Sequence, residues 1–86
     1  MQSNRFEKDV HLSRHARERM YQRAISEALL QDLLETGTIK YKDAAHLWIA
    51  KSFDARTDNL ICAAVVLEDK LVVKTVMHYF KWENDQ

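Results

Sequence analysis

Leu60-Ile61-Cys62-Ala63-Ala64-Val65-Val66-Leu67 is an unbroken apolar run of strand length, and it sets the class of the domain. A strand with no polar side is covered on both faces and belongs in the centre of a sheet. Outward from it the pattern alternates. His46–Asp54 turns Leu47, Ile49 and Phe53 one way, Thr38–Asp43 does the same with Ile39 and Tyr41, and Lys70–Phe80 forms a last strand. The connections at 56–59 and 68–69 are short enough for antiparallel hairpins.

Upstream of Gly37 the period becomes helical. Ser26 is placed to cap a helix running to about Thr36, with Leu29, Leu30, Leu33 and Leu34 on one face and Ile25 leading in. Gly37 stands where a helix-ending glycine belongs. Ser13 caps an earlier helix running to about Arg23. Residues 1–12 read as a polar lead-in with at most a short extended piece, and 83–86 as a polar tail expected to fray. The expected class is α+β: two N-terminal helices packed on a three- to four-stranded antiparallel sheet, as one domain over 1–86.

The composition excludes several functions. Gly37 is the only glycine and proline is absent, so glycine-rich phosphate loops are ruled out. Cys62 is the only cysteine, which excludes an intramolecular disulfide and a cysteine-based zinc site within one chain. His11 and His15 are four apart, a spacing compatible with a metal, but no third ligand joins them, so neither metal nor cofactor is expected. There is no leader pattern and no apolar run near 18 residues, so the expected location is the cytoplasm, with no membrane partner. The carboxylates form no paired constellation, which disfavours glycosidase or two-metal chemistry.

The formal net charge is zero, but it is unevenly spread. Residues 1–23 carry six Lys/Arg against three Asp/Glu, a surplus of three; residues 24–86 carry seven against ten, a deficit of three. The positive half centres on Ser13-Arg14-His15-Ala16-Arg17-Glu18-Arg19-Met20-Tyr21-Gln22-Arg23, with four arginines and a histidine in one helix. Arginine offers a permanently charged planar fork suited to phosphate, and histidine exchanges a proton near neutral pH. At about 100° per residue, His15, Arg19 and Arg23 share one flank of the Ala16/Met20/Ala24 stripe. Arg14, Arg17 and Tyr21 take the other. In the last strand, strict alternation puts Leu71, Val73, Thr75, Met77 and Tyr79 towards the helices. Val72, Lys74, Val76, His78 and Phe80 then face the open side, with Lys74 and His78 roughly 13 Å apart. With Trp48 and His46 nearby, that open side would carry stacking, basic and imidazole groups, the ingredients of a single-stranded RNA site. The bland alternatives are a solvated arginine face with Arg14 paired to Glu18, structural histidines, and tryptophans in a core or dimer contact.

The run His15-Ala16-Arg17-Glu18-Arg19-Met20-Tyr21-Gln22-Arg23-Ala24-Ile25-Ser26 resembles the domain-of-unknown-function family numbered 4258, with its His-Ala-x-x-Arg-Met-x-x-Arg-Gly-Ile-Ser pattern, leucine-rich helix and strands. The resemblance covers roughly His11 to Tyr79. Ala24 departs from the family's glycine, which implies a tighter or more helical turn. That family is similar to RelE/ParE-like toxins, which implies a small metal-independent ribonuclease fold, a cognate antitoxin and an RNA target, ribosome-associated RNA included. It carries over His15, Arg19 and Arg23 as shared polar positions, together with the Thr75 to His78 region.

The expected function is a metal-independent endoribonuclease toxin of a bacterial toxin–antitoxin pair, cleaving RNA by attack of the 2′-hydroxyl. His15 and His78 would be the acid/base pair, and Arg19 the transition-state stabiliser. Arg23, Lys74, Arg14 and Arg17 would hold phosphate. The alternatives are a non-catalytic binding module of ParE-like or nucleic-acid-binding type, and a homodimer formed through the Trp48/Phe80 face.

Overall fold

A computed structural model of the chain describes residues 1–82. Its elements are β1 (Gln2–Ser3), β2 (Lys8–Leu12), α1 (Arg14–Gln22), α2 (Glu27–Thr36), β3 (Thr38–Tyr41), β4 (His46–Ser52), β5 (Leu60–Leu67) and β6 (Leu71–Phe80). The six strands form one sheet in the order β1-β2-β6-β5-β4-β3, which curls into a half-barrel. All neighbours are antiparallel except β2 and β6, which run parallel with Val10 opposite Leu71. The tail expected to fray at 83–86 lies outside the described residues.

This corrects the expected architecture of two helices on three or four antiparallel strands and, with it, the RelE/ParE-like layout. The sheet is six-stranded and mixed, and strand is the dominant structure. The polar lead-in is the source of the error. Residues 1–12 supply two strands whose sequences, Gln-Ser and Lys-Asp-Val-His-Leu, hold little apolar signal. β2 owes its place to partners more than 60 residues away, Leu71, Val72 and Val73, and local periodicity carries no trace of such a pairing. The N-terminus is further tied by Glu35, which accepts from the Ser3 hydroxyl and from the backbone N–H groups of Asn4 and Arg5.

Both helices start on serine caps. The Ser13 Oγ accepts from Ala16 N, and the Ser26 Oγ accepts from Leu29 N. They pack on the same sheet face, where Ala16, Met20, Ile25, Leu30, Leu33 and Leu34 meet Leu47, Ile49, Ile61, Ala63, Val65, Leu71, Val73 and Val76. Ser13 also donates its hydroxyl to Lys74 O and its N–H to Val73 O, which locks the start of α1 to β6.

Two bulges in β6 decide where its side chains point. Ala64 is opposite Thr75 but Val65 is opposite Val73, so Lys74 is the extra residue. A second irregularity lies between the Cys62–Met77 and Leu60–Phe80 pairs, where His78 and Tyr79 stand against Ile61 alone. A one-residue slip moves every later side chain to the opposite face. Strict alternation is therefore wrong between the two bulges: Val76 is buried in the helix-side core and His78 follows it to that side, whereas the second bulge returns Phe80 to the open face.

Two backbone positions differ from their expected roles. Gly37 has φ −71°, an extended conformation open to any residue. Glycine is needed there for space, since a Cβ would sit 2.6 Å from Leu33 O and 2.8 Å from Ile49 Cγ2. Ala24, by contrast, takes the left-handed conformation with φ 54°. Ile25 N–H bonds Met20 O at 2.9 Å and Ala24 N–H bonds Tyr21 O at 3.3 Å, the two bonds of a Schellman ending. The turn keeps a glycine's geometry without the glycine; it is not more helical.

Candidate functional site

The C-terminal end of α1, the connection between β4 and β5, and the second bulge of β6 meet at an open cleft. Arg23, Arg56, Asp58, His78 and Tyr79 line it. Asp58 is its anchor and is only 7% exposed. A buried carboxylate needs compensating donors, and it has three. Arg56 Nε donates to Oδ1 at 3.0 Å, Arg56 Nη2 donates to Oδ2 at 2.6 Å, and His78 Nδ1 lies 3.1 Å from Oδ2. The Arg56 fork holds the Asp58 carboxyl down to about 2, against the opposing pull of burial, and His78 adds to the effect. The carboxylate in turn raises the pKa of Arg56.

Arg56 also ties the site to the helices, donating from Nη1 to Ala24 O and from Nη2 to Arg23 O. The same two carbonyls belong to the left-handed turn that ends α1. Arg23 reaches across to donate to Val76 O at 2.6 Å, which holds its guanidinium against β6. Tyr79 N–H donates to Asp58 O at 2.8 Å, fixing the bulge. Its own φ is 54°, a strained value for an aromatic residue. Its ring is exposed and stands 4.8 Å from the His78 ring.

With Nδ1 engaged by a carboxylate, the imidazole of His78 is fixed in orientation, leaving Nε2 to exchange a proton with a guest. That arrangement suits general acid–base chemistry, and the neighbouring guanidinium of Arg23 suits an anion.

The candidate residues from the sequence are distributed unevenly. Arg23 and His78 share the cleft. Arg19 lies one turn up α1, half-buried, with Nη1 donating to Gln22 Oε1 at 2.8 Å. His15 is exposed near the start of α1, about 12 Å of helix rise from Arg23. Arg14 pairs with Glu18 at 3.5 Å in the open, and Arg17 is exposed. Lys74 is exposed at the first bulge beside Ser13, far up β6 from His78. His11 belongs to β2 and His15 to α1, and among the described residues no three His, Cys, Asp or Glu side chains gather as a metal site. No helix of the described residues is long and apolar enough to cross a membrane.

Sequence reasoning missed Asp58, Arg56 and Tyr79. The Arg56-Thr57-Asp58 spacing in the β4–β5 connection was the available signal for the ion pair. Nothing local points from Asp58 to His78, because only the β6 bulges bring them together.

Residues 12–78 match the family model described as a domain of unknown function (DUF4258). Neither the curated proteins nor the solved structures contain a match.

Proposed function

The chain belongs to the DUF4258 family of domains of unknown function, and we propose that this member is a metal-independent endoribonuclease whose reacting centre is the His78–Asp58–Arg23 cleft. The observation that carries it is the His78 Nδ1 to Asp58 Oδ2 contact of 3.1 Å beside an arginine at the end of α1. His78 Nε2 removes the proton from a ribose 2′-hydroxyl. The 2′-oxygen then attacks the adjacent phosphorus and the bond to the 5′-oxygen breaks. That oxygen takes a proton from water, which the open cleft admits, leaving a 2′,3′-cyclic phosphate and a 5′-hydroxyl. Arg23 supplies positive charge where it develops on the phosphorane oxygens, with Arg19 one turn further along. Asp58 holds the imidazole in place and stabilises it once protonated. In this scheme His15, Arg14 and Arg17, along α1, and Lys74, at the first bulge of β6, hold flanking phosphates away from the cleft.

The test is cleavage of RNA by the purified protein in excess chelator. The parent is expected to cleave. His78→Ala should fall by about 10²–10⁴-fold, and Arg23→Ala by about 10²–10³-fold. Parent-like rates in both variants would refute the assignment. Growth arrest on expression that survives His78→Ala would instead favour a non-catalytic binding module.

A further inference from the structure

The sheet face turned away from the helices carries an aromatic cluster, and among the described residues no helix packs on it. Lys40, Trp48, Ala64 and Thr75 form one row across β3, β4, β5 and β6. Thr38, Ala50, Cys62 and Met77 form the next, and Phe80 follows beyond the second bulge. Trp48 is 39% exposed and meets the Phe80 ring edge-on at 5.9 Å. Phe80 meets Trp82 in the same manner at 5.1 Å, and Lys40 Nζ sits 5.3 Å from the Trp82 ring centroid. None of these residues belongs to the helix-side core.

The charge of these four strands is one-sided. β3, β4, β5 and β6 contain no Asp or Glu; of their lysines, Lys40 stands in the platform row, whereas Lys51 turns to the helix side and pairs with Asp32. Among the described residues Asp43 is bound to His46, Glu68 and Asp69 lie between β5 and β6 at the opposite end from Phe80, and Asp58, at the Phe80 end, is buried in the cleft and paired with Arg56. An aromatic platform with Trp48 exposed, Phe80 and Trp82 half-buried, a lysine beside it and no carboxylate on its strands is complementary to a polymer that is both anionic and aromatic. A second copy of this chain docked through the same face would set like charge against like charge.

We infer that the Trp48/Phe80/Trp82 face binds single-stranded RNA by base stacking, with Lys40 on its phosphates. The inference rests on the nuclease assignment only for the choice of RNA as the strand. The second bulge joins the two surfaces: His78 points to the cleft and Phe80, two residues on, to the platform. A strand lying on the platform can therefore turn round the end of β6 into the cleft. Paired bases have no free faces to stack, so duplex RNA is excluded from the platform.

The experiment uses an oligouridylate of about 12 nucleotides carrying 2′-O-methyl at every ribose, which binds but cannot be cleaved. Tryptophan fluorescence of the intact protein is expected to quench saturably on titration, and the same strand annealed to its complement should leave it unchanged. Trp48→Ala should weaken binding by about 5- to 150-fold, while Trp48→Phe retains most of it. Lys40→Ala, an exposed change, should reduce the slope of log affinity against log salt by about 0.7. Because the methylated strand cannot be cleaved, loss of cleavage and loss of stacking are read separately. Thermal melts confirm that each variant is folded. Binding without quenching, affinity unchanged in folded Trp48→Ala, or no binding at all would each overturn the inference. So would a dimer that Trp48→Ala dissociates and the strand does not.

Discussion

Replacing Ala24 by glycine should stabilise this protein, although it deletes a methyl group. Ala24 ends α1 with φ 54°, and both Schellman bonds depend on that conformation. An L-residue with a Cβ is disfavoured in the left-handed region by about 1–2 kcal/mol. Glycine removes that strain but loosens the unfolded chain, which returns about 0.4–1 kcal/mol. The Ala24 methyl is exposed, so its removal forfeits no packing, and Arg56 holds only the backbone carbonyl of this residue. The net expectation is a gain of about 0.5–1 kcal/mol, equivalent to a rise in Tm of about 2–8 °C for a domain of this size. Thermal denaturation followed by circular dichroism measures it, with urea titration to check that the m-value is unchanged. Ala24→Val should move the other way, because a branched Cβ fits the left-handed region worse still. A Tm for Ala24→Gly equal to or below the parent's would refute the reasoning.

Three further outcomes follow from the same packing. Gly37→Ala forces a methyl against Leu33 O and Ile49 Cγ2 and should cost about 1–3 kcal/mol in urea unfolding, although its φ is ordinary. Arg56→Ala leaves the buried Asp58 carboxylate with His78 alone and should destabilise by about 3–5 kcal/mol. Arg56→Lys should restore only part of this in the same assay, since lysine cannot reproduce the fork on Asp58 together with both turn carbonyls. Asp58 titrates at about 2 in the folded protein against 3.8 as the ordinary value, so its stabilising effect is complete above roughly pH 5 and is lost as the pH falls from there towards 2. Stability measured across that window should fall in the parent and fall less steeply in Asp58→Asn.

The two helices and the last four strands were legible because each carries its own local signal. Ser13 and Ser26 cap, the leucines of α2 repeat at helical spacing, and 60–67 is continuous and apolar. β1 and β2 were illegible because an edge pairing and a parallel register are properties of the whole sheet. The site was half legible. Arginine and histidine chemistry singled out Arg23 and His78, but alternation sent His78 to the wrong face because the Lys74 bulge has no sequence mark. Asp58 looked like one loop carboxylate among many; only its burial between Arg56 and His78 distinguishes it.

The orienting role of Asp58 is the centre of this account, and Asp58→Asn tests it most directly, since the change keeps size and removes charge. Initial rates of RNA cleavage in excess chelator should be followed across pH for the parent and for Asp58→Asn under conditions where both are folded. The expected result is a rate lowered by about 10²–10⁴-fold at each pH, because a neutral amide no longer stabilises the imidazolium that forms as the proton is taken. A rate equal to the parent's across that range would contradict it.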